Sequence, residues 1–269
     1  MKFPFKILST FLTLSLFGFE ILSQTTETEK LGYGEWIMNI DGEEVLMHEF
    51  FKPNDIIFDV GGHYGEWSLY ALKAEPTIQI TAFEPVPFSY DICRANLSQY
   101  NNVEIFNIAL SNKIGNSDFQ YYYNADGLSG FYYREVLRGD HENPIVLSVA
   151  HETLENFCAA HEINHIDFMK IDTEGAEWEI LNGAKSLIKN HQIRAIQFEY
   201  GGCYIDAKTT LEQTMRLLTE SNYLIFRIIP TGLVHISRWE PQLENYDLCN
   251  YFAICKEDFP GYNLVYFPI

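Results

Sequence analysis

The stretch FDVGGHYGEWSLYALKAEPTIQITAFEP, residues 58–85, decides the fold of this chain. It starts within a continuous apolar run, 56–60, of the kind that forms a parallel strand buried on both faces. Apolar residues then recur at helical spacing, and a second apolar run covers 78–83. The stretch therefore predicts a strand, a tight glycine turn, an amphipathic helix and a second strand that ends in an acid, Glu84.

This arrangement of a turn and an acid predicts a site for a nucleoside-like cofactor. The glycines let a ligand approach bare backbone, and Glu84 can accept hydrogen bonds from both ribose hydroxyls. A dinucleotide site needs a second glycine where this chain has His63, because a Cβ there would crowd the pyrophosphate. Asp59, at the strand end, repels phosphate and attracts a cationic amino-acid group. Both residues favour S-adenosylmethionine over a dinucleotide.

The same alternation of elements continues almost to the C-terminus. Further strands are predicted at 103–110, 145–149, 166–171, 193–198, 223–229 and 251–255, and further helices at 89–99, 153–161, 176–189 and 210–220. The last two strands have no helical pattern between them. A series of βα units closed in this way predicts an α/β fold of the class I methyltransferase (Rossmann-like) type. Its mostly parallel sheet is flanked by helices and ends in a C-terminal antiparallel strand pair.

Four segments are expected along the chain. They are a hydrophobic N-terminal segment at 1–23, a linker with edge elements at 24–54, the α/β domain at 55–258 and a C-terminal tail at 259–269. The pair Asp41-Gly42 predicts a short hairpin or edge element within 35–51. Tyrosines and glycine turn pairs in 111–145 predict an aromatic hairpin and a flexible loop that contacts the acceptor, with a plain solvent loop as the alternative.

Charge limits the classes of partner. The net charge is −19, which repels nucleic acids and anionic membrane surfaces and favours a neutral or cationic small acceptor. The five cysteines have no metal or redox spacing, so free thiols in a cytoplasmic protein are expected. Residues 1–23 resemble a signal peptide, so export or membrane association through this segment is the alternative.

Four motifs together resemble one family. FDVGGHYGEWS (58–68), AFEPVPFSY (82–90), NIALSN (107–112) and FMKIDTEGAEWEIL (168–181) with IQFEY (196–200) resemble the FkbM family of S-adenosylmethionine-dependent methyltransferases. The resemblance covers 55–257, and the run from Lys170 to Glu177 is its most specific part. It implies O-methylation of a hydroxyl on a small molecule, sugar or glycan. This chain departs from the family pattern at His63, where asparagine is usual.

The resemblance also implies the cofactor-binding residues. The glycine turn would hold the methionine end of S-adenosylmethionine, and Glu84 would bind the ribose. The end of the predicted third strand would lie beside the adenine. By position these residues are Asp59, Gly61, Gly62, His63, Gly65, Glu84, Pro85, Ala109, Leu110 and Ser111.

Carboxylates follow two neighbouring strands of the predicted sheet. Asp172 and Glu199 lie at adjacent strand ends, where they can approach one acceptor oxygen, and Glu174 lies close in sequence. We predict Asp172 and Glu199 as the catalytic pair, with Glu174 in support, and a carboxylate as the proton acceptor. Two alternatives stay open: the carboxylates hold a divalent cation such as Mg²⁺, or Asp172 and Glu174 cap the next helix. Glu177 and Glu179 are interpreted as first-turn helix charges.

Two other functions compete with methyl transfer. A nucleotide-dependent oxidoreductase uses a similar strand–turn–helix unit, although His63 and the terminal strand pair count against it. The third hypothesis is a non-catalytic binding protein that keeps the cofactor fold and is tethered through residues 1–23. The retained acids, among them Asp59, Glu84 and Asp172, argue against it.

Overall fold

The computed structural model describes residues 42–135, 143–261 and 266–268. Its α-helices are α1 (Glu43–Phe50), α2 (Glu66–Ala74), α3 (Pro87–Leu97), α4 (Leu154–Ala160), α5 (Glu177–Asn182), α6 (Lys185–Lys189), α7 (Cys203–Ala207) and α8 (Leu211–Glu220). Its strands are β1 (Ile56–Val60), β2 (Gln79–Phe83), β3 (Val103–Phe106), β4 (Ala109–Leu110), β5 (Gly115–Tyr121), β6 (Ile145–Glu152), β7 (Ile166–Ile171), β8 (Ile193–Tyr200), β9 (Tyr223–Ile229), β10 (Gly232–Ile236), β11 (Cys249–Cys255) and β12 (Tyr266–Pro268).

The central sheet confirms the predicted fold class. Within the described residues its strand order is β12-β10-β9-β11-β8-β7-β1-β2-β3. The strands from β8 to β3 in this order run parallel, and β11, β9 and β10 add antiparallel pairs. The chain order reverses at β1, which lies between β2 and β7. Ligands of open α/β sheets bind at the carboxyl ends of strands beside such a reversal, so the fold places the site after β1 and β7.

Both faces of the sheet are buried, as the continuous apolar strands require. One face packs on α4, α5, α6 and α8, and its core contains Phe58, Phe157, Ile171 and Phe198. The other face packs on α1, α2 and α3, around Phe50, Trp67 and Phe168. The parallel strands are therefore fixed from both sides, which holds the loops at their carboxyl ends in place.

Helix α1 corrects the prediction of a hairpin or edge element around Asp41-Gly42. Gly42 precedes the helix with a φ of 104°, and a Cβ there would lie 2.2 Å from the carbonyl oxygen of Ile229. The glycine therefore starts a helix against β9, and acidic residues in the first turn suit the helix dipole. The part of that prediction at 35–41 lies outside the described residues.

The predicted third strand, 103–110, is two strands in different sheets. After β3 the side-chain amide Nδ2 of Asn107 donates to the backbone carbonyl oxygens of Glu84 at 2.8 Å and Pro85 at 3.1 Å, where the chain turns away from the central sheet. β4 then joins a small sheet with the order β4-β6-β5. In that sheet β5 pairs antiparallel with β6 across the insertion, whose residues 136–142 lie outside the described part.

The predicted helix 176–189 is also divided, into α5 and α6. A Cβ on Gly183 would lie 2.2 Å from the carbonyl oxygen of Ser111, so only glycine leaves room for the segment that follows β4. The Gly183 amide bonds back to the carbonyl oxygen of Glu179 at 2.8 Å and closes α5. A tertiary contact therefore interrupts a pattern that is helical in the sequence.

The C-terminal antiparallel strand pair is confirmed in β9 and β11. Two strands outside the prediction, β10 and β12, extend this edge of the sheet. The segment 259–269, predicted as a tail, therefore contributes a strand. The five cysteines are free thiols, as predicted, and all five are buried.

The localisation prediction named a cytoplasmic protein, with export or membrane association through a hydrophobic segment at 1–23 as the alternative. It is corrected, because no such hydrophobic segment is supported in the part of the chain that the structure describes. Among residues 42–135, 143–261 and 266–268, no helix has the length and apolar character to cross a bilayer. Residues 1–23 lie outside the described residues.

Candidate active site

A cavity of about 500 Å³ opens at the carboxyl ends of β1, β2, β7 and β8. Most of the predicted site residues line it: Gly61, Gly62, His63, Glu84, Pro85, Ala109, Leu110, Asp172, Glu174 and Glu199. Three predicted residues, Asp59, Gly65 and Ser111, are not among the lining residues. The sheet therefore brings all three predicted catalytic residues and most of the predicted cofactor residues to one cavity.

The glycine loop after β1 is shaped by close backbone contacts. Gly61 has a φ of 88°, and a Cβ there would lie 1.8 Å from the carbonyl oxygen of Asp172. The amides of Gly61 and Gly62 both donate to the carbonyl oxygen of Phe83, at 3.0 and 2.9 Å. A Cβ on Gly61 would collide with the backbone after β7, so glycine there lets the loops after β1 and β7 lie against each other at the cavity wall.

Asp59 lies behind the cavity wall, with no exposed surface. Its Oδ2 accepts from the Ser68 hydroxyl at 2.7 Å, and its Oδ1 is 3.8 Å from Lys170 Nζ. Burial raises its pKa, and Lys170 opposes the shift. Asp59 therefore reaches the cavity through Lys170, which itself lines it.

Gly65 and Ser111 support the site from outside the cavity. Gly65 has a φ of 86° before α2, where a Cβ would lie 2.9 Å from Leu97 Cδ1. Ser111 donates its backbone amide to the carbonyl oxygen of Glu152 at 2.8 Å, in the small sheet. Both residues lie in segments beside the cavity and not in its lining.

Glu84 is the acid at the end of β2, and only 5% of it is exposed. Its Oε2 accepts from the His63 amide at 2.9 Å and its Oε1 from the Val86 amide at 2.8 Å. Burial raises its pKa to about 7, although both hydrogen bonds favour the carboxylate. Each oxygen keeps a further lone pair, so the side chain can still accept bonds from ribose hydroxyls.

Lys170 is a cavity residue that the sequence analysis did not assign to the site. Its Nζ lies 3.3 Å from Asp172 Oδ2 and 5.7 Å from the centre of the Trp67 ring. Burial opposes its charge, but Asp172 and Asp59 more than offset this, so its pKa is raised. The sequence could have indicated this role, because Lys170 lies two residues before Asp172 and side chains two apart on a strand share a face.

Carboxylates gather at the end of β8. One ligand atom each from Glu174, Glu199 and Cys203 lies within 4.8 Å of the others. Burial raises the pKa of Glu174 to about 8, and burial with the nearby charges of Asp172 and Glu174 raises that of Glu199 well above its ordinary value. Glu174 has a φ of 55°, a left-handed conformation that is costly for a residue with a Cβ.

Arg134 comes from the insertion and was not predicted. Its Nη1 lies 2.5 Å from Glu174 Oε2, and its Nε lies 3.3 Å from Asp206 Oδ2. Its side chain is only 8% exposed, and it lines the cavity. The insertion therefore contributes a cation to the carboxylate cluster.

Glu177 lies in the first turn of α5, as the sequence analysis interpreted it, but it is not exposed to solvent. The residue is completely buried, and its Oε1 accepts from the amide and the hydroxyl of Thr173, at 2.8 and 2.9 Å. Burial raises its pKa to about 7. Glu177 holds the loop that carries Asp172 and Glu174, so it belongs to the support of the site.

A divalent cation fits this cluster poorly. Glu174, Glu199 and Cys203 are the described residues close enough to one another to hold one. The guanidinium of Arg134 already pairs with Glu174, so a metal ion on that carboxylate would face a second positive charge. The cluster is better suited to proton transfer.

S-adenosylmethionine fits the other end of the cavity. A volume of about 500 Å³ is in the range of cofactor pockets. Gly61 and Gly62 line the cavity with backbone, and Glu84 provides a buried carboxyl acceptor beside them. Acids outnumber bases around the cavity, which suits a cationic donor.

Known proteins are similar to this chain over the region that contains the cavity. The sequence profile described as Methyltransferase FkbM domain matches residues 59–225. The 2-O-methyltransferase NoeI of Sinorhizobium fredii is 29% identical over 161 residues, which are 55% of this chain and 64% of that protein. The 31-O-demethyl-FK506 methyltransferase FkbM of Streptomyces tacrolimicus is 26% identical over 204 residues, which are 61% of this chain and 78% of that protein.

Among solved structures, this chain is similar to a SAM dependent methyltransferase from Aquifex aeolicus, with a TM-score of 0.43 and 12% sequence identity. The match covers 88% of this chain and 97% of that chain. The present chain spans less than two thirds of the length of NoeI. The family profile, in contrast, covers more than half of this chain and every predicted site residue from Asp59 to Glu199. The chain therefore belongs to the FkbM methyltransferase family.

Proposed function

We propose that this protein is an S-adenosylmethionine-dependent O-methyltransferase whose acceptor is a hydroxyl of a neutral small molecule or glycan. One observation carries the proposal. A single cavity joins the glycine loop and Glu84 to the carboxylates Asp172, Glu174 and Glu199. The donor site and a proton acceptor are therefore in reach of one another.

Alignment and proton removal are the tasks left to the protein. S-adenosylmethionine, when bound, supplies a methyl group already activated on a cationic sulfur. The chain must hold an acceptor oxygen about 3–3.5 Å from that carbon and exclude water. The glycine loop and Glu84 would hold the donor, while the acceptor oxygen would lie towards Asp172 and Glu199.

Glu199 is the side chain best placed to take the hydroxyl proton. It is 6% exposed, and its carboxylate makes no hydrogen bond to any described residue, whereas Glu174 is bound by Arg134. A carboxylate with a raised pKa is a better base for an alcohol than an ordinary one. Asp172, held by Lys170, would orient the hydroxyl.

Charge selects the class of acceptor. The basic residues that line the cavity, Lys170, Arg134 and His63, each lie beside carboxylates. An anionic acceptor would therefore meet uncompensated carboxylates and lose affinity. NoeI and FkbM of S. tacrolimicus are both named as methyltransferases that act at oxygen, which supports a hydroxyl acceptor here.

The test is methyl transfer from labelled S-adenosylmethionine to a panel of neutral glycosides and alcohols, with matched uronic acids and sugar phosphates. We expect label in a neutral product and an equal amount of S-adenosylhomocysteine. Glu199→Gln serves as the control, and its S-adenosylhomocysteine should fall towards background. Calorimetric titration that detects no binding at millimolar S-adenosylmethionine would leave a non-catalytic protein instead.

A metal would be detected in the same assay. Because Arg134 already pairs with Glu174, we expect turnover to be unchanged after chelation and after addition of Mg²⁺. Loss of turnover with chelator and its recovery with Mg²⁺ would contradict this expectation.

A further inference from the structure

The segment 122–134, called the strap here, forms one wall of the cavity. It leaves β5 and makes a short 3₁₀ turn at Asp126–Leu128. The strap residues that line the cavity are Ala125, Asp126, Gly127, Leu128, Ser129, Phe131 and Arg134. The strap therefore covers the donor end and the catalytic end together.

The end of the strap near the catalytic carboxylates is held by several contacts. Gly130 is paired with Gln120 of β5, and a Cβ on it would lie 3.2 Å from the carbonyl oxygen of Glu174. Arg134 donates its backbone amide to the Tyr122 hydroxyl at 2.8 Å and binds Glu174 with its side chain. This half of the strap is fixed to the sheet and to the site.

The other half is joined to the glycine loop through one residue. Asp126 Oδ2 accepts from the hydroxyl of Tyr64 and lies 3.4 Å from His63 Nε2. The remaining hydrogen bonds of 123–129 are made within the strap, among the residues that the structure describes. His63 and Tyr64 belong to the same loop as Gly61 and Gly62, so Asp126 connects the strap to the loop that would hold the donor.

We propose that Asp126 is a positioning residue that fastens the strap over the bound donor, so that its contacts with His63 and Tyr64 limit how fast the donor site opens. The proposal rests on the donor assigned under the proposed function. It concerns release and capture of that ligand, which the catalytic carboxylates do not control.

The pair formed by His63 and Asp126 depends on pH. Besides Asp126, the groups that face the His63 ring are Glu66 of α2, at 3.7 Å, Glu84 after β2 and the stacked ring of Tyr64. Burial lowers the pKa of His63, but the surrounding carboxylates more than offset this and the net shift is upward. The charged pair is therefore present below this raised pKa and lost as the pH rises through it.

The experiment measures the release rate of S-adenosylhomocysteine from the full-length protein by stopped-flow displacement. Asp126→Ala should speed release by about tenfold, the scale of a lost hydrogen bond to a charged group. Asp118→Ala is the matched control, since Asp118 is an exposed acid on β5 without an ion pair among the described residues. It should release the ligand at the wild-type rate.

Two further variants separate positioning from general loss of structure. His63→Asn keeps a residue that tolerates the left-handed φ of 46° and removes the imidazole. In the wild type, release should become slower as the pH falls through the raised pKa of His63. His63→Asn should lose this slowing and keep only the pH dependence that Glu84, with a pKa of about 7, contributes. Tyr64→Phe should speed release at every pH.

The release rates of the variants decide whether Asp126 fastens the strap. Wild-type release rates in Asp126→Ala would overturn the proposal. Should that variant fail to fold, Tyr64→Phe decides: faster release supports the proposal, and an unchanged rate overturns it. A wild-type protein that does not bind S-adenosylhomocysteine at all would remove the proposed function, whereas binding with rates insensitive to Asp126 would remove only the strap.

Discussion

Burial of acids is the feature that unites the site at the scale of single residues. Glu84, Glu174, Glu177 and Glu199 are each largely withdrawn from water, and burial raises the pKa of each. Such groups hold a proton near neutral pH, where an exposed glutamate does not. The site therefore has carboxyl groups that can give or take protons in the range where the enzyme would work.

The first prediction concerns Glu84. Glu84→Ala should weaken binding of S-adenosylmethionine by roughly tenfold or more, because the ribose would lose a charged acceptor. Isothermal titration measures the change, and Glu104→Ala, an exposed acid on the neighbouring β3, is the control. An affinity equal to that of the wild type would exclude Glu84 from the donor site.

The second prediction concerns the pH dependence of turnover. A carboxylate base must be deprotonated, so kcat should rise as the pH passes the pKa of Glu199, which burial and the nearby carboxylates raise well above the ordinary value of 4.5. Glu199→Gln should lower kcat by about a hundredfold or more and leave donor affinity unchanged. The exposed Glu220→Gln is the control. Equal loss of kcat and of donor affinity would indicate a structural role for Glu199.

At the scale of elements, close backbone contacts decide where helices begin and end. The helical pattern of 176–189 is divided because the chain after β4 crosses it at Gly183. The same crossing positions the segment from Ala109 to Ser111, two residues of which line the cavity. The break in the helix is therefore part of how the site is built.

Replacement of Gly183 tests this third prediction. Gly183→Ala would place a Cβ 2.2 Å from the Ser111 carbonyl oxygen, and we expect it to lower the free energy of unfolding by about 1–3 kcal/mol. Urea denaturation provides the measurement. Gly127→Ala is the control, because a Cβ there would meet nothing within 4 Å. Equal stability of the two variants would show that the segment after β4 yields to the new side chain.

At the scale of the whole molecule, the net charge of −19 and the buried acids both make the folded protein more stable as the pH is lowered towards 6. Glu84 and Glu177 have pKa values of about 7 when folded, against 4.5 as their ordinary value. The folded protein therefore keeps protons that the unfolded chain releases between these values. Lowering the pH also reduces repulsion among the excess acids.

The fourth prediction follows from that balance. Stability should increase as the pH is lowered from 8 to 6, by about 1 kcal/mol for each group of this kind. Urea denaturation at both pH values measures the difference, and Glu84→Ala should show a smaller one. A wild-type protein that becomes more stable on going from pH 6 to pH 8 would contradict the pKa values on which the prediction depends.

The local sequence pattern was sufficient to predict β1, α2 and β2 and the carboxylates at the carboxyl ends of β7 and β8. Periodicity defines such elements over a few residues, and parallel strands bring their carboxyl ends together by rule. Hence the fold class, Glu84, Asp172 and Glu199 could be placed before any coordinates. The helix α1 could not, because Gly42 is required by a contact with Ile229 that lies far along the chain.

The sequence by itself determined the kind of molecule: a parallel α/β sheet with a glycine loop and acids at its carboxyl ends, shared with one methyltransferase family. Tertiary structure alone decided which charges meet. Arg134 and Glu174 are 40 residues apart, Tyr64 and Asp126 are 62 apart, and Asp59 turned out to be screened from the cavity behind Lys170. Electrostatic contacts of this kind depend on distance in space, which short-range periodicity does not encode.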